Sequence, residues 1–385
     1  MNPAHRLAIP LASLTALGLL ASDLYLPAIP AMRAELGASI TSAQATMALF
    51  MAALALSQLA WGWAADRFGD RPAIVAGTVL LGGASTHGGY CGPAVKPVAV
   101  PALIRRRFDA ADSVKALAVV AMFESSIPAL GPVAGTAIVL QAGWRSTFWL
   151  IAALAVLLLP LVARICGSAL APAAAVSGAA GAGAGGPPAA LGARGEAGYL
   201  ALLRNRVYMR YALSYAAMFG ALLMYVASAP VLVTHALGLG IEAFAALQIF
   251  GVLAFMLGAA IAVRVVKRLG EQWLMRGGML LQYLAGAGLV GIALAGLTGT
   301  SGLATLTVVA ALFCGGLGLR GAATMGGALH AAGDSAGKGS GLLMFLSFAA
   351  VAGATQLVAP FLHYGLLPVG VLLFALVTAS ALLLP

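Results

Sequence analysis

Apolar runs of about 20 residues recur from one end of the chain to the other, and they leave few folds open. They fall at 8–30, 42–64, 72–88, 115–140, 146–165, 209–234, 244–265, 275–296, 302–325, 339–362 and 365–384. About 20 residues in α-helix cover the roughly 30 Å hydrocarbon core of a bilayer. Backbone groups in lipid must be satisfied within their own segment, so each run is expected to be a helix. Strands of a membrane barrel would alternate in polarity, and these runs do not. The composition agrees: 62% of the 385 residues are hydrophobic and only 8% are charged, against about 25% charged in a soluble domain. The chain therefore reads as an all-α, polytopic membrane protein, with the lipid bilayer as its first partner.

The net charge of +10 would suggest nucleic acid in a soluble protein. Here the basic residues sit in short loops, where they fix orientation by the positive-inside rule. No basic domain with interleaved aromatics is present, so no nucleic-acid partner is expected. Cys91, Cys166 and Cys314 are scattered and odd in number, and the five histidines are isolated. Neither a disulfide framework nor a metal site is suggested. The first apolar run is long, lacks a clear cleavage site and leads into further spans, so it reads as the first helix rather than a signal peptide.

Residues 168–199, "SALAPAAAVSGAAGAGAGGPPAALGARGEAGY", are Ala/Gly/Pro-rich with neither amphipathic period nor apolar core. They read as a flexible cytoplasmic linker between two transmembrane bundles, 1–167 and 200–385. Arg194, Arg204, Arg206 and Arg210 cluster beside it and mark that side as cytoplasmic. The two bundles echo each other. "DRFGDRPAIVAGTVLLGG" from Asp66 aligns with "KRLGEQWLMRGGMLLQY" from Lys267, matching Arg67 to Arg268, Gly69 to Gly270 and Gly77 to Gly278. At nearly the same offset "DLYLPAIP" aligns with "VASAPVLV", matching Pro27 to Pro230. Parallel half-repeats with a central linker are a transporter design, with the substrate site between the halves.

Three stretches carry the chemistry. "GWAADRFGDR", 62–71, places Gly62, Asp66, Arg67, Gly69 and Arg71 in the short connection between the second and third spans. The glycines allow a tight turn and close approach, Asp66 can pair with a base or cap a helix, and the arginines anchor at an anionic leaflet. "PALGPVAG", 128–135, puts Pro128 and Pro132 with Gly131 and Gly135 in one span, a kinked helix with a small-residue packing face. "DLYLPAIPAM" places Asp23 in an otherwise apolar helix. A carboxylate there costs about 2.5–3.5 kcal/mol on insertion scales, so it ordinarily faces a cavity and has a role.

The 62–71 stretch resembles the signature loop of the major facilitator superfamily, which acts there as a conformational latch. The 128–135 stretch looks like the antiporter motif on the fifth helix of drug exporters in that family, making 115–140 the counterpart of the family's helix 5. "DLYLPAIPAM" resembles the first-helix motif of the Bcr/CflA group of drug/proton antiporters, which includes chloramphenicol exporters. The resemblance implies a major facilitator fold of two six-helix-type bundles. It also implies proton-driven export of small amphipathic drugs across a bacterial inner membrane, by a monomer. Asp23, and Glu124 in "AMFESSIPALGP", would then alternate in protonation. Arg320, in the second half's spans, needs a carboxylate or carbonyl partner, and a pairing with Asp23 or Glu124 across the halves is one expectation. Tyr25, Phe50, Phe123, Phe219, Tyr225, Phe345 and Phe348 lie on candidate lining helices. Tyr25 and Tyr225 stand out as aromatics with a polar handle. A G-x-G-x-x-G match at Gly316, Gly318 and Gly321 lacks βαβ context and does not read as nucleotide-binding. With no redox, hydrolytic or nucleotide site legible, neither an enzyme nor a cofactor is implied, and energy would come from a proton gradient.

The resemblance breaks at 85–108, "STHGGYCGPAVKPVAVPALIRRRF". The family has a loop and its whole fourth helix there, with an arginine motif linked to proton transfer. This stretch has three prolines and no run of about 20 apolar residues. A truncated or irregular fourth helix is expected, with Arg105, Arg106 and Arg107 in the cytoplasmic loop that follows. Two alternatives to drug export stay open: a metabolite or amino-acid exporter on the same scaffold, and a non-transporting remnant.

Overall fold

The computed structural model describes residues 20–68, 130–167, 199–333 and 336–384, with Ser13, Leu17, 75–76, 78–80 and Ile127 besides. Every described element is helical. In the first half, residues 20–25 are helical and a turn at Leu26 and Pro27 leads into α1 (Ala28–Leu36). Pro27 has no N–H to donate to the carbonyl four residues back, that of Asp23, so the helix breaks there. Gly37, left-handed at φ 61°, closes α1 and returns its N–H to the Arg33 carbonyl. α2 (Ile40–Phe68) follows, then α3 (Leu130–Ala142) and α4 (Arg145–Gly167). The last two lie at 120° to each other across a tight corner at Gly143, φ 78°.

The second half begins with the short α5 (Tyr199–Arg204), which starts at the final residue of the expected linker. α6 (Arg206–Val231) is capped by Asn205, whose side chain accepts from the N–H groups of Val207 and Tyr208. α6 contains Pro230 and runs into a π-helical turn, Leu232–Ala236. A long helical stretch, Glu242–Leu294, turns a corner at Gly270, where φ 79° and ψ 166° suit only glycine. The two arms are α7 (Glu242–Val266) and α8 (Arg268–Leu294). α9 (Gly299–Ala331), α10 (Ala336–Val358), a 3₁₀ turn (Ala359–Tyr364) and α11 (Leu366–Leu383) complete the chain. Six helices among the described residues are long and apolar enough to cross a membrane, and all six belong to this half. They match the six runs read between 209 and 384.

Lipid tails are as apolar as leucine, so helices in a bilayer pair through close backbone packing at small residues. α7, α8 and α9 do this. A Cβ at Gly258 would lie 2.2 Å from the Gly315 carbonyl oxygen, one at Gly278 2.5 Å from that of Gly316, and one at Gly318 2.2 Å from that of Phe255. Gly316 and Gly318 of the rejected nucleotide match are therefore crossing points between membrane helices. The basic end of this bundle is tied as well. Asn205 Nδ2 donates to the Ala331 carbonyl at 2.9 Å, and the Tyr208 hydroxyl to that of Gly339 at 2.6 Å.

The halves meet at the end opposite the arginines of 204–210. One apolar core holds Ile29, Met47, Phe50 and Phe148 of the first half with Met224, Phe244, Phe313 and Val351 of the second. Toward the basic end the remaining described clusters each stay within one half.

Candidate functional site

Asp23 is half-buried, and its Oδ1 accepts from the Ser22 hydroxyl at 3.4 Å. What faces it is α3. A Cβ added at Gly131 would lie 2.6 Å from Asp23 Cβ and 3.5 Å from Asp23 Oδ2. One turn on, a Cβ at Gly135 would lie 2.8 Å from Pro27 Cγ and 2.9 Å from the Leu24 carbonyl oxygen. The two glycines singled out for helix packing thus seat α3 on the carboxylate-bearing helix, one at Asp23 and the other at Leu24 and the Pro27 break. Pro132 shares the site: its carbonyl accepts from Thr136 Oγ1 at 2.7 Å. Two motifs more than 100 residues apart form one joint.

Tyr25, two residues on, is buried. Its hydroxyl hydrogen-bonds Thr46 on α2, and its ring meets Phe148 of α4 edge-on at 5.9 Å. It links three helices of the first half. Tyr225 on α6 is equally buried, and its hydroxyl has no hydrogen-bond partner among the described residues.

Arg320 lies elsewhere. It is fully buried inside the second bundle, where Nη2 donates to the hydroxyls of Ser380 on α11 and, at 3.5 Å, Ser214 on α6. Each serine donates to the other's carbonyl at 2.7 Å, leaving its hydroxyl oxygen free to accept from the guanidinium. Asp23 and Arg320 are not brought together. The arginine ties α6, α9 and α11, while its Nε and Nη1 have no hydrogen-bond partner among the described residues. Ser380→Ala removes one acceptor from a buried cation and is expected to cost about 1.5–3 kcal/mol. Thermal unfolding in detergent should fall accordingly while substrate preference stays the same.

The remaining sequence candidates divide by position. α2 runs unbroken through Phe68, so Gly62, Asp66 and Arg67 lie on its last turns rather than in a loop. Between Gly62 and Gly69 the stretch has neither glycine nor proline to end the helix. Gly69, Arg71, Pro128, Glu124, Phe123 and the 85–108 segment, where a truncated or irregular helix is expected, lie outside the described residues. Phe219 and Phe348 meet edge-on at 6.0 Å, and Tyr215 stacks on Phe219 at 6.0 Å, making a half-buried aromatic ladder between α6 and α10. Tyr215 was not among the sequence candidates. Its signal was the four-residue spacing from Phe219, which puts both rings on one helix face.

The sequence pattern also missed the polar links at the end where the halves meet. Arg33 of α1 hydrogen-bonds His235 Nε2 across the halves. Gln44 Nε2 of α2 donates to the Ala227 carbonyl of α6 at 3.0 Å. Glu35 pairs with Arg145 and accepts from Trp144 Nε1 at 2.7 Å. These hydrogen bonds to Arg145 and Trp144 hold its carboxyl below the usual carboxylate range.

A family model described as the Major Facilitator Superfamily matches residues 11–355. Among curated proteins, the chain is 29% identical over 157 residues to "Multidrug resistance protein MdtL" of Escherichia coli O45:K1, covering 36% of this chain and 39% of that protein. The same-named protein of Escherichia fergusonii is 28% identical over 156 residues. The match thus spans well under half the length of these relatives. Among solved structures, a D-xylose-proton symporter superposes with a TM-score of 0.70 at 12% identity, covering 98% of each chain. An auto-inhibited POT family peptide transporter gives 0.67 at 14%, covering 98% of this chain and 96% of that one. Both likenesses are of fold. A family match over nearly the whole chain, on a scaffold of apolar spans in two halves, leads to one conclusion: this multi-pass membrane protein belongs to the Major Facilitator Superfamily, whose members are transporters and not enzymes.

Proposed function

We propose that the chain is a proton-coupled exporter of small amphipathic drugs in a bacterial inner membrane, of the Bcr/CflA kind, working as a monomer between bundles 1–167 and 200–385. The observation that carries this reading is the seat of Asp23 on Gly131. An ionisable group on the first helix is packed against the helix that carries the exporter-type Pro/Gly motif. The likeness to multidrug resistance proteins points the same way.

The mechanism follows from the packing. A charged Asp23 demands water or a polar partner, whereas a protonated one tolerates apolar contact. Gly131 and Gly135 offer no side chain to hold α3 in place. Proton uptake at Asp23 therefore favours tight seating of α3 on helix 1, and release favours its displacement. Pro27 leaves the Asp23 carbonyl without its helical donor, which makes this the yielding point of the helix. Pro230 and the π turn after it form the matching break in the second half. Arg33 follows the first break and His235 lies within the second, so bending either helix pulls on the link between the halves. The ladder of Tyr215, Phe219 and Phe348 offers ring faces to an amphipathic cation or aromatic drug.

Two experiments test this. The first is drug susceptibility in a pump-deficient bacterium carrying the chain or an empty vector. Protection supports export, while unchanged susceptibility across a broad panel at good membrane expression removes it. The second addresses the end where the halves meet. Arg33→Cys with His235→Cys, in a background with the native cysteines replaced, should be bridged by a short bis-maleimide in membranes. Bridging should stop transport; labelling of either single cysteine should leave most of it. Transport that continues in a bridged protein would mean this end need not open.

A further inference from the structure

A groove of about 470 Å³ runs down the outside of the second bundle between α7, α8 and α9. Its walls include Leu257, Ile261, Trp273, Leu281, Leu312 and Leu319, and almost all of its surface is apolar. Its mouth is cationic. Along α7 the lining positions 254, 257, 258 and 261 continue one turn on to Arg264. On α8, Arg276 lies one turn on from the lining residue Trp273. Arg264 and Arg276 are both exposed. Among the described residues neither has a hydrogen-bond or ion-pair partner. In the sequence, Lys267, Arg268 and Glu271 fall at the junction of the two helices.

We infer that this groove binds an anionic phospholipid of the cytoplasmic leaflet, with an acyl chain between α7, α8 and α9 and the phosphate at Arg264 and Arg276. Three features point to this occupant. Trp273 is at the mouth, where an indole sits at headgroup level. From Trp273 to Leu281 is a helical rise of about 12 Å, close to the depth of one leaflet. Basic clusters at the cytoplasmic ends of membrane helices attract anionic headgroups. A zwitterionic lipid would fill the apolar walls equally well, but its own ammonium already balances its phosphate, so it brings the arginines no net negative charge. The inference rests on the membrane spans and their charges, and it does not depend on what is transported.

The test uses the full chain in detergent, titrated with phosphatidylglycerol or with phosphatidylcholine of the same acyl chains and followed by native mass spectrometry. The expected result is retained phosphatidylglycerol at concentrations where phosphatidylcholine is lost. Arg264→Gln with Arg276→Gln should weaken phosphatidylglycerol retention about thirtyfold, the factor expected for two basic charges near an anionic surface. Its phosphatidylcholine binding should not change. Ala311→Trp, which fills the groove from α9, should lower retention without touching a charge. Equal retention of the two lipids by the native chain would overturn the inference. So would an unweakened double variant, an Ala311→Trp variant that binds as before, or a groove occupied by a second copy of the chain.

Discussion

Asp23→Asn should abolish drug protection while leaving the protein in the membrane. Asparagine keeps the volume and shape of the side chain, so its contact with Gly131 survives. It cannot ionise, so the group can no longer take up and release a proton. The amide is also cheaper to insert than a carboxylate, which argues against a loss through misfolding. The expected loss is at least about tenfold in the transport rate, equivalent to about 1.4 kcal/mol. Susceptibility and membrane level, measured on the same cultures, check it. Normal protection by Asp23→Asn would leave Asp23 as a wetted residue near a helix break and remove it from the coupling mechanism.

Gly131→Val and Gly135→Val should each damage both folding and transport. The added Cβ would sit 2.6 Å from Asp23 Cβ in the first and 2.8 Å from Pro27 Cγ in the second. At Gly135 the obstruction includes the backbone of Leu24, with its carbonyl oxygen at 2.9 Å, which cannot swing aside as a side chain would. Overpacking of this kind costs about 1–3 kcal/mol, and here the strain falls on the joint that is meant to move. Gly291 on α8 supplies the contrast, since a Cβ there meets nothing within 4 Å. Gly291→Ala should be neutral or stabilising by up to about 1 kcal/mol through helix propensity. Thermal unfolding in detergent separates the two classes. Equal effects at the three positions would mean that α3 does not seat on the Asp23 helix as described.

The spans of the second half were legible because lipid imposes a length and a polarity on each of them, and the runs from 209 to 384 became helices with boundaries shifted by a few residues. The sequence aligned Gly270 with Gly69 as a repeat match, and the structure shows Gly270 to be a corner. In the site, Asp23, Gly131 and Gly135 could be picked out one by one: a carboxylate and a pair of small residues are conspicuous in apolar helices. That they meet could not be read, because nothing in either stretch encodes which helix the other packs on. Arg320 shows a different limit. A buried guanidinium suggests a carboxylate partner, yet two serine hydroxyls on other helices satisfy part of it, and single serines leave no mark in a sequence. Arg33 and His235 escaped notice for a related reason. Each looks like an ordinary residue at a helix end until the two halves are brought together.

Transport by the purified chain in liposomes with an imposed pH gradient is the most direct test of drug export coupled to proton flow through Asp23. A fluorescent amphipathic cation should move against the direction of proton flow in vesicles carrying the native chain and stop when the gradient is collapsed. Vesicles carrying Asp23→Asn should show neither movement. Drug movement that ignores the gradient, or that is the same with Asp23→Asn, would contradict proton coupling at this residue.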